Sequence, residues 1–170
     1  KAFLKQFPSA RALAKAPLSD VLALWSGLGY NRRAKFLQDA ARMIVEEHGG
    51  DFKKALGGKL PGVGPYTRAA VRAFAFNEPG VIIETNVRTV FIHHFFPGKE
   101  KVSDETLALL VEAALKRQVP REWYSALMDY GAHLKRSGVK LNAKSKTYTK
   151  QSKFKGSLRE VRGAILRARV

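Results

Sequence analysis

Cysteine is absent from this sequence of 170 residues. That absence excludes disulfides, thiolate-bound zinc, iron–sulfur ligation and cysteine nucleophiles. Long apolar runs are missing as well. Val81-Ile82-Ile83 and the stretch 107–111 are both soon broken by charges, far short of the roughly 18 residues a membrane-spanning helix needs. No signal-peptide pattern opens the chain. Acidic residues are scarce, 14 against 31 lysines and arginines, which leaves a net charge of +17. Of the four histidines, His93 and His94 fall on opposite sides of a helix turn and His48 and His133 lie far off, so no metal site is expected. What is present is 45% hydrophobic residues, enough for a real core and against disorder. These features predict a soluble protein with a strongly anionic partner, nucleic acid being the leading candidate.

The charge is uneven. Residues 135–170 carry 12 lysines and arginines and one acid, Glu160, whereas the preceding 134 residues are only mildly basic. Residues 135–155 read as an extended arm in which Tyr148 and Phe154 interleave with lysines. Lys144, Lys146 and Lys150 are its candidate phosphate contacts; a merely solubilising tail is the alternative. After Gly156-Ser157 an amphipathic helix is expected, with Leu158, Val161, Ile165 and Leu166 on one side and arginines around it, docked on the body.

The body is patterned for helices, with no alternating strand pattern and no repeat. Ser19 is placed to cap a helix carrying Leu22 and Trp25 that ends at Gly27-Leu28-Gly29. The next helix carries Ala34, Leu37, Ala40, Ala41 and Ile44 inward and stops at Gly49-Gly50. A short helix follows over 52–56, then one starting at Pro65 with Ala70, Val71 and Phe74 inward. Residues 86–95 put Val87, Val90, Phe91 and His94 on one face. Ser103 caps a helix with Leu107, Leu110, Val111, Ala114 and Leu115, and Pro120 starts one with Tyr124, Leu127, Met128 and Gly131 inward. The fold class is all-α, short helices joined by tight Gly/Pro loops.

The most informative segment is Leu60-Pro61-Gly62-Val63-Gly64-Pro65-Tyr66-Thr67. Gly62 and Gly64 permit positive φ and the close approach of another backbone. The first-turn amides of the new helix are then available to a phosphate oxygen. A plain helix–helix connector is the alternative, but in a basic helical domain such a turn suits DNA backbone held without sequence readout.

This segment resembles the helix-hairpin-helix of the endonuclease III-type DNA glycosylase superfamily. Phe7-Pro8, Ala16-Pro17-Leu18 and residues 24–34 are similar to the corresponding stretches of A/G-specific adenine DNA glycosylases. So are Ile82-Ile83-Glu84-Thr85-Asn86-Val87-Arg88 and Leu127-Met128-Asp129-Tyr130-Gly131-Ala132, in order and nearly ungapped from about residue 3 to 134. The resemblance implies a two-lobed helical glycosylase fold, with lobes at 1–79 and 80–170. It places the catalytic carboxylate at Glu84, where the family usually has Asp, and a sugar-side residue at Asn86. Arg88 becomes a phosphate contact, and Tyr30 a wedge into the duplex, unless it is an ordinary buried ring. Arg32, Arg33, Leu60, Gly62, Val63, Gly64 and Thr67 complete the DNA contacts. Tyr66 stands where strand-cutting relatives carry a Schiff-base lysine, so water-using, monofunctional chemistry is implied.

The departures are equally specific. The chain opens at Lys1 rather than Met, and the family's general acid, a Glu on an N-terminal helix beside Gln residues, would lie upstream. The four-cysteine iron–sulfur loop would begin at Lys135, where the basic arm stands instead; the family's 8-oxoguanine-recognition domain would come after Val170 and is not expected here. The resemblance also implies a monovalent cation held by carbonyls near Leu60 and Val63, and no other cofactor. The resulting expectation is a cluster-free, monomeric base excision repair enzyme of the prokaryotic nucleoid. It would act on adenine opposite 8-oxoguanine or guanine in double-stranded DNA, without contacting a membrane. Rival readings are a thymine or uracil mismatch glycosylase, a non-catalytic DNA-binding module, and a basic RNA-binding structural protein.

Overall fold

The computed structural model describes residues 1–146 and 153–168; Lys150 and Tyr148 lie outside the described residues. Every regular element among them is helical. The order is α1 (Ala2–Gln6), α2 (Ala10–Lys15), α3 (Leu18–Trp25), α4 (Arg32–His48), α5 (Phe52–Gly57), α6 (Pro65–Phe76), α7 (Thr85–Phe95), α8 (Asp104–Leu115), α9 (Pro120–Arg136), a 3-10 turn (Asn142–Lys144) and α10 (Leu158–Ala168). Strand-like pairing among them is limited to two isolated bridges, Leu60 with Val63 and Val102 with Ser145. No helix of the described residues is long and apolar enough to cross a membrane. The chain divides into two compact units, Lys1–Gly64 with Gln151–Val170, and Pro65–Lys150, so Pro79-Gly80 falls inside the second unit.

The first unit is built around α4. Phe7, Leu13, Val21, Ala34 and Ala41 are its buried centre, with Phe3, Leu22 and Trp25 packed against it. α2, which carries too little periodicity to be read from sequence, is capped by Ser9, whose side chain accepts the Ala12 amide. It is tied to α4 by Gln38, which is buried and donates from Nε2 to the carbonyls of Leu13 (3.1 Å) and Ala16 (2.7 Å). A buried amide is tolerated because those bonds replace water. The expected inward Leu37 is exposed; the face of α4 is turned so that its neighbour Gln38 enters the core. Ser19 does not cap α3 either. The helix begins two residues earlier, at Leu18 behind Pro17, and the Ser19 hydroxyl meets Asp20 Oδ1. Gly49, left-handed at φ 62°, ends α4 where the sequence places its stop.

The apolar face of α10 is expected to be docked, but its described side chains are exposed: Leu158 at 72%, and Val161 and Ile165 as well; the side chain of Leu166 lies outside the description. The amphipathic pattern marks the helix correctly but not a partner for its apolar side.

In the second unit α7 lies against α9, with α6 alongside. The core runs through Ala73, Ile82, Val87, Val90, Phe91, Ile92, Leu107, Val111, Leu115 and Tyr124. Ala73, not Val71, is the fully buried residue of α6. His94 and Ala114, both expected inward, are exposed. The His94 ring stacks on Tyr130 and pairs with its hydroxyl at 2.8 Å, while the His93 ring meets it edge-on. Ser103 caps α8 through the Thr106 amide, and Pro120 is the first residue of α9, both as the sequence predicts.

The start of the basic tail is part of this unit rather than a free arm. Lys135 and Arg136 complete α9, and Val139 and Leu141 pack on the core. Val102 exchanges backbone hydrogen bonds with Lys144 (2.8 Å) and Lys146 (3.1 Å). Charge composition alone hides this, because three apolar or small residues, Val139, Leu141 and Ser145, supply the anchoring.

Candidate functional site

The segment joining α6 to α7 is fixed from several sides. Asn77, at φ 55°, accepts the Arg121 amide on its side-chain oxygen. Farther along, the buried Tyr124 hydroxyl donates to Gly80 O (2.7 Å) and accepts the Ile82 amide (3.0 Å). Burial pushes this phenol's pKa upward, against the hydrogen bond from Ile82. The segment thus delivers Glu84 to the head of α7 in one backbone arrangement.

Glu84 is the N-cap of α7, extended at φ −117° and ψ 178°. Its Oε1 accepts the amides of Asn86 (2.6 Å) and Val87 (2.9 Å). These amides are left without intrahelical partners by the helix itself, and the positive end of the helix complements a carboxylate. Capping and catalysis are compatible readings, because both amides share one oxygen. None of the described residues donates to Oε2. Half-buried and immobilised, the group is a fixed negative charge with one open oxygen.

Asn86 follows in the first turn of α7. Its side-chain oxygen accepts a 2.6 Å bond from the ammonium of Lys135. Its backbone is closely approached by α9: a Cβ added at Gly131 would lie 2.5 Å from Asn86 O and 2.7 Å from its Cα. α9 therefore sits directly on the residue beside Glu84, and only glycine fits there. Lys135 is the site residue that sequence reading missed, taken there as the first charge of the arm. The available signal was its spacing from Gly131, four residues and one helical turn along the same face.

Arg88, expected at a phosphate, is bound instead by Asp104 through two bonds of 2.9 and 2.7 Å, fastening α7 to the first turn of α8. Lys144 likewise donates to Pro97 O at 3.1 Å, while Lys146 is exposed. Tyr66 stands in the first turn of α6, half exposed at 50%, and Thr67 beside it is half-buried.

The first unit holds the remaining candidates. Within four residues, Gly27, Gly29 and Tyr30 take positive φ (86°, 70° and 50°). For a tyrosine this left-handed backbone costs about 1–2 kcal/mol. The loop is held by Trp25, whose Nε1 donates to Gly29 O at 3.0 Å. Tyr30 is 59% exposed, not a buried ring, and Leu28 beside it is exposed too. Arg32 and Arg33 lie just beyond, exposed, over the rings of Phe36 and Trp25. In the hairpin, Val63 N donates to Leu60 O (3.1 Å) and Gly62 takes φ 69° against Phe36, where a Cβ would meet the Phe36 Cβ at 2.7 Å. Gly64 differs from expectation: its φ is not positive, and a Cβ there would meet nothing within 4 Å. Neither the backbone conformation nor the chain's own packing therefore calls for glycine at this position.

An iron–sulfur cluster does not fit this chain. No cysteine exists to bind it, and in the region after α9 the segment through Val139, Leu141 and Ser145 is packed on the core. The Leu60 carbonyl, by contrast, spends one lone pair on Val63 and keeps a second that a monovalent cation can use.

Residues 1–115 match the model of the HhH-GPD superfamily base excision DNA repair proteins. The chain is similar to the adenine DNA glycosylase of Buchnera aphidicola subsp. Baizongia pistaciae, at 32% identity over 133 residues, 76% of this chain and 38% of the relative. It is likewise similar to those of Mus musculus (34% over 136 residues, 76% and 26%) and Mycobacterium tuberculosis strain H37Rv (34% over 141 residues, 76% and 44%). It thus spans less than half the length of these relatives. A solved structure described as a thermostable thymine-DNA glycosylase matches with a TM-score of 0.62 at 26% identity, covering 77% of this chain and 63% of that one.

Proposed function

Because the chain belongs to the HhH-GPD superfamily of base excision DNA repair proteins, we propose that it is a monofunctional DNA glycosylase. It removes adenine mispaired with 8-oxoguanine or guanine from duplex DNA by hydrolysing the N-glycosidic bond. The observation that carries this reading is Glu84: a carboxylate with Oε1 fixed by two helix amides and Oε2 open, in a chain similar to adenine DNA glycosylases. As the bond from C1′ to the base breaks, the sugar gains positive charge, and a preorganised anion stabilises it without reorganising. Water bonds to C1′, its proton passes to Glu84, and the departing base takes up a proton from an acid. With tyrosine at position 66 no amine is offered there for a Schiff base, so release by water is favoured over strand cutting.

Binding is sequence-independent at the backbone. The 62–64 turn meets phosphate, with a monovalent cation on the Leu60 and Val63 carbonyls, and the first-turn amides of α6 offer a phosphate contact of their own; Arg32, Arg33 and Lys146 add positive charge. Tyr30, exposed on its loop, enters the stack as the target base is flipped out. The protein works as a monomer among the DNA of a prokaryotic cytoplasm.

The likeness to a thymine-DNA glycosylase supports a second reading, a pyrimidine target opposite guanine. Single-turnover assays on duplexes containing A·8-oxoG, A·G, T·G and U·G decide between them. Free adenine from the first two, with nicking only after alkali, is the expected result. Release of pyrimidine but not adenine refutes the adenine assignment.

A further inference from the structure

An ammonium carries donors only, so the carboxamide of Asn86 must turn its oxygen toward Lys135 and its nitrogen, with two N–H groups, the other way. Asn86 is therefore held as a donor. Two other contacts hold the same residue: its backbone amide on Glu84 Oε1 at 2.6 Å, and its main chain against Gly131. Since Gly131 and Lys135 are one turn apart on α9, a single face of that helix holds both the backbone and the side chain of Asn86. Lys135 lies in the last turn of α9, where a cation is favoured, and from there its ammonium reaches the side chain of Asn86 in the first turn of α7. Lys135 is half-buried, which strengthens a charge-assisted bond.

Resting on the glycosylase reading, we infer that Lys135 is a positioning residue for the attacking water. It locks Asn86 with Nδ2 turned to the substrate side, where one N–H donates to the oxygen of the water whose proton Glu84 receives. The water keeps its other lone pair for C1′. The C1′–O bond forms as the C1′–N bond breaks, and the base leaves with that electron pair. No side chain of this chain other than Lys135 is seen to bond the Asn86 oxygen among the described residues.

The test uses Lys135→Met, which removes the donors but keeps the bulk, Lys135→Arg, which restores them, and each on an Asn86→Ala background. Adenine release from an A·8-oxoG duplex is measured under single turnover, alongside Kd for an uncleavable duplex. Lys135→Met should slow release by about 10–100-fold, as small misplacements of reacting groups do, with Kd unchanged. Lys135→Arg should recover most of the rate, and Lys135→Met should cost nothing further once Asn86 is alanine. A wild-type rate in Lys135→Met, additive losses, or a loss confined to Kd overturns the inference; the last would make Lys135 a phosphate contact. The lock has a readout separate from activity. The side-chain amide resonances of Asn86 in 15N-labelled protein should shift and exchange faster in Lys135→Met, and their staying put overturns the inference. If the wild type releases no base from any mismatch, the glycosylase reading fails while the resonances still decide whether the lock exists.

Discussion

Gly131→Ala sets two principles against each other. Alanine is the better helix former by about 1 kcal/mol, so an isolated α9 would gain from the change. Its Cβ, however, would lie 2.5 Å from Asn86 O, 2.6 Å from Asn86 Cβ and 2.7 Å from Asn86 Cα. Comfortable separations are about 3.5–4.0 Å, and two of the three atoms are backbone, which no rotamer change can clear. The helices must part by about 1 Å, and overpacking of this kind costs about 1–3 kcal/mol. With both atoms fixed in α7 the upper part of that range applies, so the net effect is a loss of about 1–2 kcal/mol. For a domain of this size that is a fall in Tm of about 2–8 °C. The displacement falls on Asn86 and, through its amide, on Glu84. A misplacement near 1 Å is worth about 100-fold in rate. Thermal melts by circular dichroism and single-turnover base release measure the two effects. A variant that melts higher and releases base at the wild-type rate refutes the idea that α9 sets the position of the carboxylate.

Three further outcomes follow from named contacts. Tyr124→Phe strips the hydroxyl from Gly80 O and Ile82 N in a buried setting and should lower stability by about 1–3 kcal/mol in urea titrations. Because burial raises this phenol's pKa, the stability it contributes is whole below its unfolded value of about 10 and is lost as pH rises through the folded value. The phenylalanine variant should lack that alkaline loss. Arg88→Ala should cost about 0.5–1 kcal/mol through its ion pair with Asp104, with no change in the salt dependence of DNA binding; a reduced salt slope would restore Arg88 as a phosphate contact. Tyr66→Lys should introduce strand nicking without alkali, and intact strands after base release would contradict the positional match to strand-cutting relatives.

Helix starts and stops were legible because they depend on single residues acting locally. Ser103 and Pro120 begin helices and Gly49 ends one, as their chemistry requires. Which face of a helix turns inward was less legible. Leu37 and Gln38 are 100° apart, and the polar one is buried because carbonyls at the end of α2 satisfy it, 22 and 25 residues away. His94 has the spacing of a core residue, yet at the end of α7 it finds Tyr130 rather than apolar neighbours. The carboxylate and Asn86 could be picked out from their resemblance to a catalytic segment. Lys135 could not, since its role comes from a contact across 49 residues, and the same holds for Arg88 and Asp104 across 16. Tail composition likewise predicted charge correctly and packing wrongly, because Val139 and Leu141 outweigh their lysine neighbours once a core is within reach.

The central claim is that the open oxygen of Glu84 drives base release. Glu84→Gln isolates it, since the glutamine side-chain oxygen can still accept the amides of Asn86 and Val87 and keep α7 capped. Wild type and variant are compared on one A·8-oxoG duplex, with free adenine measured under single turnover and Kd by titration. The expected result is adenine from the wild type, a loss of at least about 100-fold in the variant, and equal Kd values. Equal rates of adenine release from both proteins would contradict it.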